Sequence, residues 1–522
     1  MTEGIRVREA DGTEQVLPVE TGRTLAQTLW LSGELPPPAL CSGLGRCGAC
    51  RVLFQEGTPS PCAADEAILG AEAVREGWRL ACRHAALPGM AVSIPPPPSE
   101  RHTVRTAPDA GSFAEPFRLA VDLGTTSIHW RLLAGAGQEV ASGQALNPQM
   151  GAGSDVVSRL AAARTSEGRE RLRRLVLRFL HRIVRQAGVP VTELCVAGNT
   201  AMTSILLDKD ITGLCAAPYR LPEAGGRTEN LPDLPGLPDS VGLPPVWIPP
   251  QPAPFVGGDI SAGMAALLYG ETPRFPFLLA DLGTNGEFVL ALDEARSFIA
   301  SVPLGPSLEG IGLRYGGVAD TGSVSAFRLG PLGLSPVVIG DGAPRRICGT
   351  GYLSLLSLLL RTGILEASGQ LAAHPASPLA ARLSASVRRD AAGWSLPLPG
   401  GMELAGADVE EILKVKAAFS LALESLLEAA GLESRALARV YLGGALGEYV
   451  PDGVLEQLGF LPQGLQARTT AAGNTSLRGA ALLLTRPELR ERLVRWSAGC
   501  TLVDMAARPG FTALYMRHMT FG

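Results

Sequence analysis

Three cysteines fall within ten residues, Cys41-x5-Cys47-x2-Cys50, and a fourth, Cys82, follows in "GWRLACRH". Ser42, Gly43, Gly45, Gly48 and Ala49 fill most of the space between the first three. Residues that small let the backbone fold tightly around an inorganic core and turn its N–H groups toward sulfur. Four thiolates so spaced suit a [2Fe–2S] cluster, although the first gap is one residue longer than the plant-type C-x4-C-x2-C run. Zinc is the competing metal, but zinc ribbons usually supply two separate C-x2-C knuckles, and here there is one. Cys62 is an alternative fourth ligand; Cys82 is preferred because it precedes the last expected strand of its segment. The other isolated cysteines read as small buried apolar residues.

A second chemistry is written twice. "RLAVDLGTTSIHWRLL" and "LLADLGTNGEFVLAL" align Asp122 on Asp281, Gly124 on Gly283 and Thr125 on Thr284. In each, an apolar strand runs into Asp-Leu-Gly-Thr and a second strand returns. The glycine admits backbone N–H groups to an anion, threonine hydroxyls donate to phosphate oxygens, and the aspartate can hold hydrated Mg²⁺ or orient a water. A third Gly-rich element, "RVYLGGALGEYV", brings Gly443 and Gly444 to a strand end. Two further strand ends, "CVAGNTAMTSILL" and "FVGGDISAGM", carry Asn199, Thr200 and Asp259.

The elements that must position these residues divide the chain. Residues 1–94 read as two short strands joined at Asp11-Gly12, a helix capped by Thr24, the cysteine loop, and further strands. "PPPP" at 95–98 and the polar residues after it should form a semi-stiff linker over 95–116. From Phe117 onward apolar strands alternate with helical stretches such as 169–187 and 408–430. The latter opens with Asp408 and Glu411 in capping-box spacing and closes at Gly431. The expectation is an α+β domain over 1–94 and a two-lobed α/β domain over 117–522, with lobes of roughly 117–275 and 276–522 and a ligand cleft between them.

Composition narrows the function classes. The chain has 522 residues, enough for several cores, and a formal net charge of −4 with scattered basic residues. That is no electrostatic footprint for nucleic acid or an anionic membrane. The charged start is unlike a secretory signal, no segment offers eighteen uninterrupted apolar residues, and nine cysteines make an odd number, so a cytoplasmic protein with reduced thiols is expected.

Residues 1–94 resemble a ferredoxin of the plant or adrenodoxin type, a one-electron carrier of β-grasp build. The paired hairpins with the Gly443-Gly444 turn resemble the actin, Hsp70 and sugar-kinase superfamily of ATPases. That resemblance implies ATP and Mg²⁺ as cofactors. It makes Asp122 and Asp281 the catalytic positions for Mg²⁺ and water, and Gly124, Thr125, Thr126, Asn199, Gly283, Thr284 and Asn285 phosphate-site residues. Gly443 and Gly444 would lie against adenosine. Lys416 would reach adenine or ribose, or belong to a solvated helix face.

The fusion of the two modules is similar to the reductive activators of corrinoid proteins, as are "GPSLEGIGLRYGG", "VEEILKVKAAF", "GNTSLRGAA" and the final "DMAARPGFTALYMRHMTFG". The resemblance implies ATP-dependent transfer of one electron to Co(II) of a corrinoid protein, regenerating Co(I) for methyl transfer. It also implies an upstream electron donor and allows a homodimer. Longer members place a middle domain between ferredoxin and ATPase; the linker alone is expected there in this chain. Rival readings are an activator of another low-potential enzyme, or a small-molecule kinase fused to a redox module.

Overall fold

A computed structural model describes residues 4–38, 40–96, 103–106, 113–233, 242–283, 285–304, 306–310, 312–331, 333–340, 342–374, 377–390, 393–444, 450–505 and 507–522. Two compact units emerge, one of residues 1–223 with 227–248, the other of 224–226 with 249–522. Most of the expected linker lies outside the described residues. No described helix is long and apolar enough to cross a membrane.

The first unit begins with a five-stranded sheet of order β2-β1-β5-β3-β4, made from β1 (Gly4–Arg8), β2 (Glu14–Pro18), β3 (Arg51–Glu56), β4 (Trp78–Leu80) and β5 (Ala91–Ser93). Helix α1 (Leu25–Trp30) packs Leu25, Leu29 and Trp30 into its core beside Ile5, Val52 and Leu80. Thr24 caps it as its sequence position predicts. Its hydroxyl accepts from Gln27 N at 3.2 Å, and Gln27 Oε1 accepts from Thr24 N at 3.1 Å. The reciprocal pair satisfies backbone donors that the first helical turn leaves without partners. Helix α2 (Ala63–Arg75) fills the polar, Ala-rich stretch between β3 and β4.

The same unit holds a seven-stranded sheet. Its strands are β6 (Thr103–Thr106), β7 (Phe117–Leu123), β8 (Ser127–Ala134), β9 (Gln138–Leu146), β10 (Val191–Gly198), β11 (Arg227–Glu229) and β12 (Val246–Ile248), in the order β11-β12-β10-β7-β8-β9-β6. Strand β7 pairs parallel with β10, which brings Leu123 opposite Gly198 and so the ends of both strands to one edge. Helices α3 (Val156–Ala163), α4 (Ser166–Gln186) and α5 (Thr200–Leu206) accompany the sheet, and a short α6 (Thr212–Cys215) follows. The cysteine-loop module packs on α4: Arg171 grips Glu20 with two bonds of 2.6 and 2.9 Å, and Arg178 reaches Glu34 at 3.3 Å. Gly151 lies against the Trp30 backbone, where a Cβ would come within 2.9 Å.

The second unit is built on a six-stranded sheet in which β13 (Phe277–Leu282), β14 (Asn285–Ala291) and β15 (Ser297–Pro303) are antiparallel neighbours. Strand Arg439–Gly443 lies parallel to β13. Helix α7 (Gly258–Gly270) precedes the sheet, and the long helix Gly406–Ala430 joins Phe419 to Phe288 and Phe460 edge-on in the core. That helix starts two residues earlier than its sequence predicts. Asp408 therefore sits inside the first turn, where its carboxylate reaches back to Ala405 N at 2.9 Å, and Glu411 instead accepts from Lys414 Nζ at 3.2 Å. Gly431 ends the helix with φ +65°, the left-handed cap that glycine adopts without steric cost.

Candidate functional site

The cysteine loop lies between α1 and β3, and its stretch 41–50 turns through four residues of positive φ, Ser42, Gly43, Gly45 and Gly48. Cys50 Sγ lies 3.3 Å from Cys82 Sγ, and Cys41 shares a thiol–thiol hydrogen bond with Cys47. That bond, with backbone N–H groups of Arg46, Cys47 and Gly45, brings the Cys41 thiol down to about 5 against the opposing effect of burial. Cys47 and Cys50 move well up, first because each donates to its partner and then because both are buried. Backbone N–H groups of Ala49, Cys82 and Gly45 meet the sulfurs of Cys47, Cys50 and Cys82 respectively.

Two thiol pairs ringed by N–H donors match the demands of two irons. One zinc would draw its sulfurs to roughly 3.8 Å from one another, given Zn–S bonds of about 2.3 Å in a tetrahedron. Among the described residues no three of these four thiols lie within 4.8 Å of each other. The residues fit [2Fe–2S]. Cys62 stands elsewhere, at the N-cap of α2, grouped with Asp65 and His84. Asp65 already accepts from Cys62 N at 2.9 Å, Leu80 N at 2.8 Å and His84 Nε2 at 2.8 Å, so the group knits α2 to β4.

The first Asp-Leu-Gly-Thr hairpin is the β7–β8 turn. Gly124 cannot carry a side chain there, since a Cβ would meet Ser127 O at 2.6 Å. Asn199, at the N-cap of α5, donates from Nδ2 to Thr125 Oγ1 at 2.8 Å and accepts from Met202 N at 3.0 Å. The parallel β7–β10 pairing thus unites two residues that sequence singled out separately. Thr125, Thr126, Asn199 and Thr200 are all buried.

Two residues that sequence reading missed complete this turn. Asn147 donates to Gly124 O at 2.8 Å, and its backbone N–H donates to Thr126 O at 2.8 Å. Arg159 on α3 is fully buried and donates from Nη2 to Thr125 O at 2.9 Å. Burial brings its guanidinium down to about 9, and the charge of Asp155 opposes that fall. Neither residue belongs to a recurring motif; only the fold brings them to the hairpin.

The second hairpin, β13–β14, is surrounded by acids. Asp281 pairs across the strands with Glu287, which is buried. Desolvation pushes the Glu287 carboxyl well above its usual range, and the charges of Asp259 and Asp281 push it further. Asn285 donates to it in partial opposition, while Asn285 O accepts from Gly283 N at 3.1 Å across the turn. Asp259 lies in the first turn of α7. Strand Arg439–Gly443 places Gly443 opposite Asp281, and a Cβ at Gly443 would stand 3.1 Å from the Asp281 carboxyl carbon. Gly444 holds φ +77°, and a Cβ there would stand 3.3 Å from Asp281 Oδ1. These glycines therefore make room for the aspartate. Thr284 and residues 445–447 lie outside the described residues.

Lys416 does not lie on a solvated helix face, the second of its two sequence readings. It is buried, its Nζ donates to His518 O at 3.3 Å, and burial lowers its pKa. The ammonium ties the long helix to the carboxy-terminal segment.

Comparison with known proteins connects these parts. Residues 8–87 match the 2Fe-2S iron-sulfur cluster binding domain, 117–269 the RACo middle region, and 276–522 the C-terminal domain of RACo, the ASKHA domain. The chain belongs to the RACo family. The expectation that the linker alone stands where longer members carry a middle domain is corrected: residues 117–269 match the RACo middle region.

Among similar proteins, the corrinoid activation enzyme RamQ of Eubacterium limosum is 26% identical over 78% of this chain and 70% of its own length. The [Co(II) methylated amine-specific corrinoid protein] reductase of Methanosarcina barkeri is 24% identical over 78% of this chain and 77% of its own. A solved structure titled reductive activator for corrinoid,iron-sulfur protein superposes with a TM-score of 0.67 at 20% identity, covering 99% of this RACo-family chain and 98% of that one. It supports the same fold.

Proposed function

We propose that this chain reductively activates a corrinoid protein, using ATP and Mg²⁺ to deliver single electrons that return Co(II) to Co(I). The observation that carries this is the occurrence of a four-thiol cradle fitting [2Fe–2S] in a chain of the RACo family whose named relatives are a corrinoid activation enzyme and a corrinoid protein reductase. A [2Fe–2S] centre, when bound, stores and releases one electron at a time. Cys41, Cys47, Cys50 and Cys82 would hold it, and the surrounding backbone N–H groups stabilise negative charge on their sulfurs. Each turnover moves one electron to one cobalt, so an upstream donor must restore it. Nine cysteines with no disulfide between them suit a reducing compartment such as cytoplasm.

Reaching Co(I) is uphill for a ferredoxin-type donor. At about 2.3 kcal/mol per 100 mV, a gap of roughly 100–200 mV costs about 2–5 kcal/mol. ATP offsets this only through different affinities for two states of the protein. In our reading Thr125, Thr126, Thr284 and Asn285, with the turns at Gly124 and Gly283, contact phosphate. Asn199 orients Thr125, and Asp122 and Asp281 position Mg²⁺ and water. Gly443 and Gly444 keep the Asp281 carboxylate unobstructed.

The test mixes reduced protein, ATP and Mg²⁺ with a Co(II) corrinoid protein and follows the visible spectrum. Co(I) or methyl-Co(III) bands should appear with ATP and be absent without it. Persistence of Co(II) in all mixtures, with a sugar or acid becoming phosphorylated instead, would favour the kinase reading and end this one.

A further inference from the structure

Ser42 follows the cluster ligand Cys41 and holds φ at +51°, a backbone region that few non-glycine residues occupy. What holds it there lies far along the chain. Ser42 Oγ donates to Asp155 Oδ2 at 2.5 Å, accepts from Ser154 N at 2.8 Å, and lies 3.0 Å from Ser154 Oγ. Asp155 is the N-cap of α3, accepting from Ser158 N and Ser158 Oγ, both at 2.8 Å. Gly153, at φ +135°, leaves room for this clasp, since a Cβ there would collide with Ser158 Cβ at 2.3 Å.

One turn further along α3, Arg159 spreads its guanidinium over three oxygen acceptors, with the sulfurs of Met202 and Met150 as weaker ones. Nε donates to Gly153 O at 2.6 Å, Nη1 to Gln149 Oε1 at 2.8 Å, and Nη2 to Thr125 O at 2.9 Å. A wholly buried cation bonded to neutral acceptors is expensive to keep, so its placement constrains everything it touches. It touches both the turn that clasps the cluster loop and the first phosphate hairpin.

We propose that Ser42, Asp155 and Arg159 are positioning residues that couple nucleotide at the first hairpin to the cysteine loop. The relay runs from Thr125 O through Arg159 to the 153–155 turn, and from there to Ser42 beside Cys41. It rests on the reading that Thr125 and Thr126 meet phosphate. An anion at that hairpin compensates the buried guanidinium, fixing Arg159 and tightening the clasp; loss of the terminal phosphate loosens it. Coupling is reciprocal, so loosening the clasp must weaken nucleotide binding by the same factor.

The experiment uses the full-length, cluster-loaded protein with Mg²⁺ and the non-hydrolysable analogue AMPPNP. Amide exchange over 41–50 and 122–127 is followed with the electron paramagnetic resonance spectrum of the reduced cluster and the AMPPNP dissociation constant. In the wild type, AMPPNP should slow exchange over 41–50. Ser42→Ala should keep its cluster absorbance yet weaken AMPPNP at least about 5-fold, the lower end of common allosteric factors. Arg159→Lys, retaining charge without the three-way fork, should lose the AMPPNP effect on 41–50 even where Arg159→Met fails to fold. Unchanged exchange at 41–50 when AMPPNP binds, with wild-type affinity in Ser42→Ala, overturns the relay. If the wild type binds no AMPPNP, the nucleotide reading falls, and the relay is judged without ligand: Ser42→Ala must then speed exchange over 122–127 and alter the resonance spectrum, and no change overturns it.

Discussion

The two Asp-Leu-Gly-Thr hairpins share four residues and differ in the charge behind them. Behind the first stand a buried guanidinium, Arg159, and two amides, Asn147 and Asn199. Around the second stand Asp259 and the buried Glu287, with glycines where side chains would crowd Asp281. A positive background favours a bound anion and a negative one favours a cation, because a poorly solvated site screens neither. The same motif thus stands before a buried cation in one unit and among carboxyl groups in the other, a difference that identity of the motif conceals.

The sharpest way to break this contrast is Asp281→Asn. Magnesium-dependent ATP hydrolysis should fall by about 100-fold or more, as when a group acting on developing transition-state charge is removed. Measured binding of metal-free nucleotide should change little; an equal loss in both would mean that Asp281 serves the fold instead.

Arg159→Met comes next. Leaving Thr125 O, Gly153 O and Gln149 Oε1 without their donor should lower stability by about 3 kcal/mol in urea melts, at about 1 kcal/mol or more for each unsatisfied acceptor. A melt matching wild type would show that the guanidinium is replaceable by packing alone.

Asn199→Ala should have a smaller effect, about 1 kcal/mol of stability, from loss of the α5 N-cap. A modest loss of nucleotide affinity should accompany it as Thr125 Oγ1 loses its donor. Loss of stability without loss of affinity would assign Asn199 to the helix alone.

The smallest effect at low pH is expected of Glu287→Gln, whose amide resembles a protonated carboxyl. Glu287 is neutral in the folded protein well above the ordinary value of 4.5. Its favourable contribution is therefore complete below about pH 4.5 and is lost as pH rises toward the raised folded value, because the unfolded chain ionises first. The variant should match wild type at acid pH and gain on it progressively above pH 4.5 in metal-free thermal melts. Parallel curves for the two proteins would remove Glu287 from the acidic background.

Much of this was open to a reader of the sequence. The four cysteines, both hairpins, the Thr24 cap and the Gly431 stop are local signals, each set by residues within one turn or one loop. The match of 117–269 to the RACo middle region was not legible, because the hairpin motif that opens it also opens 276–522. The solvated-face reading of Lys416 failed because which face of a helix is buried depends on the whole packing, here on a carboxy-terminal segment 102 residues away.

Sequence by itself determined which chemistry is present: thiolates with small residues between them, and aspartate-glycine-threonine turns at strand ends. Tertiary structure alone decided how the thiols pair, which glycine faces Asp281, and which buried charge stands behind each hairpin. The reason is physical. Ligand type and turn conformation are local properties, whereas electrostatic background is a sum over residues brought together by sheet pairing and helix packing, as Ser42 meets Asp155 across 113 positions.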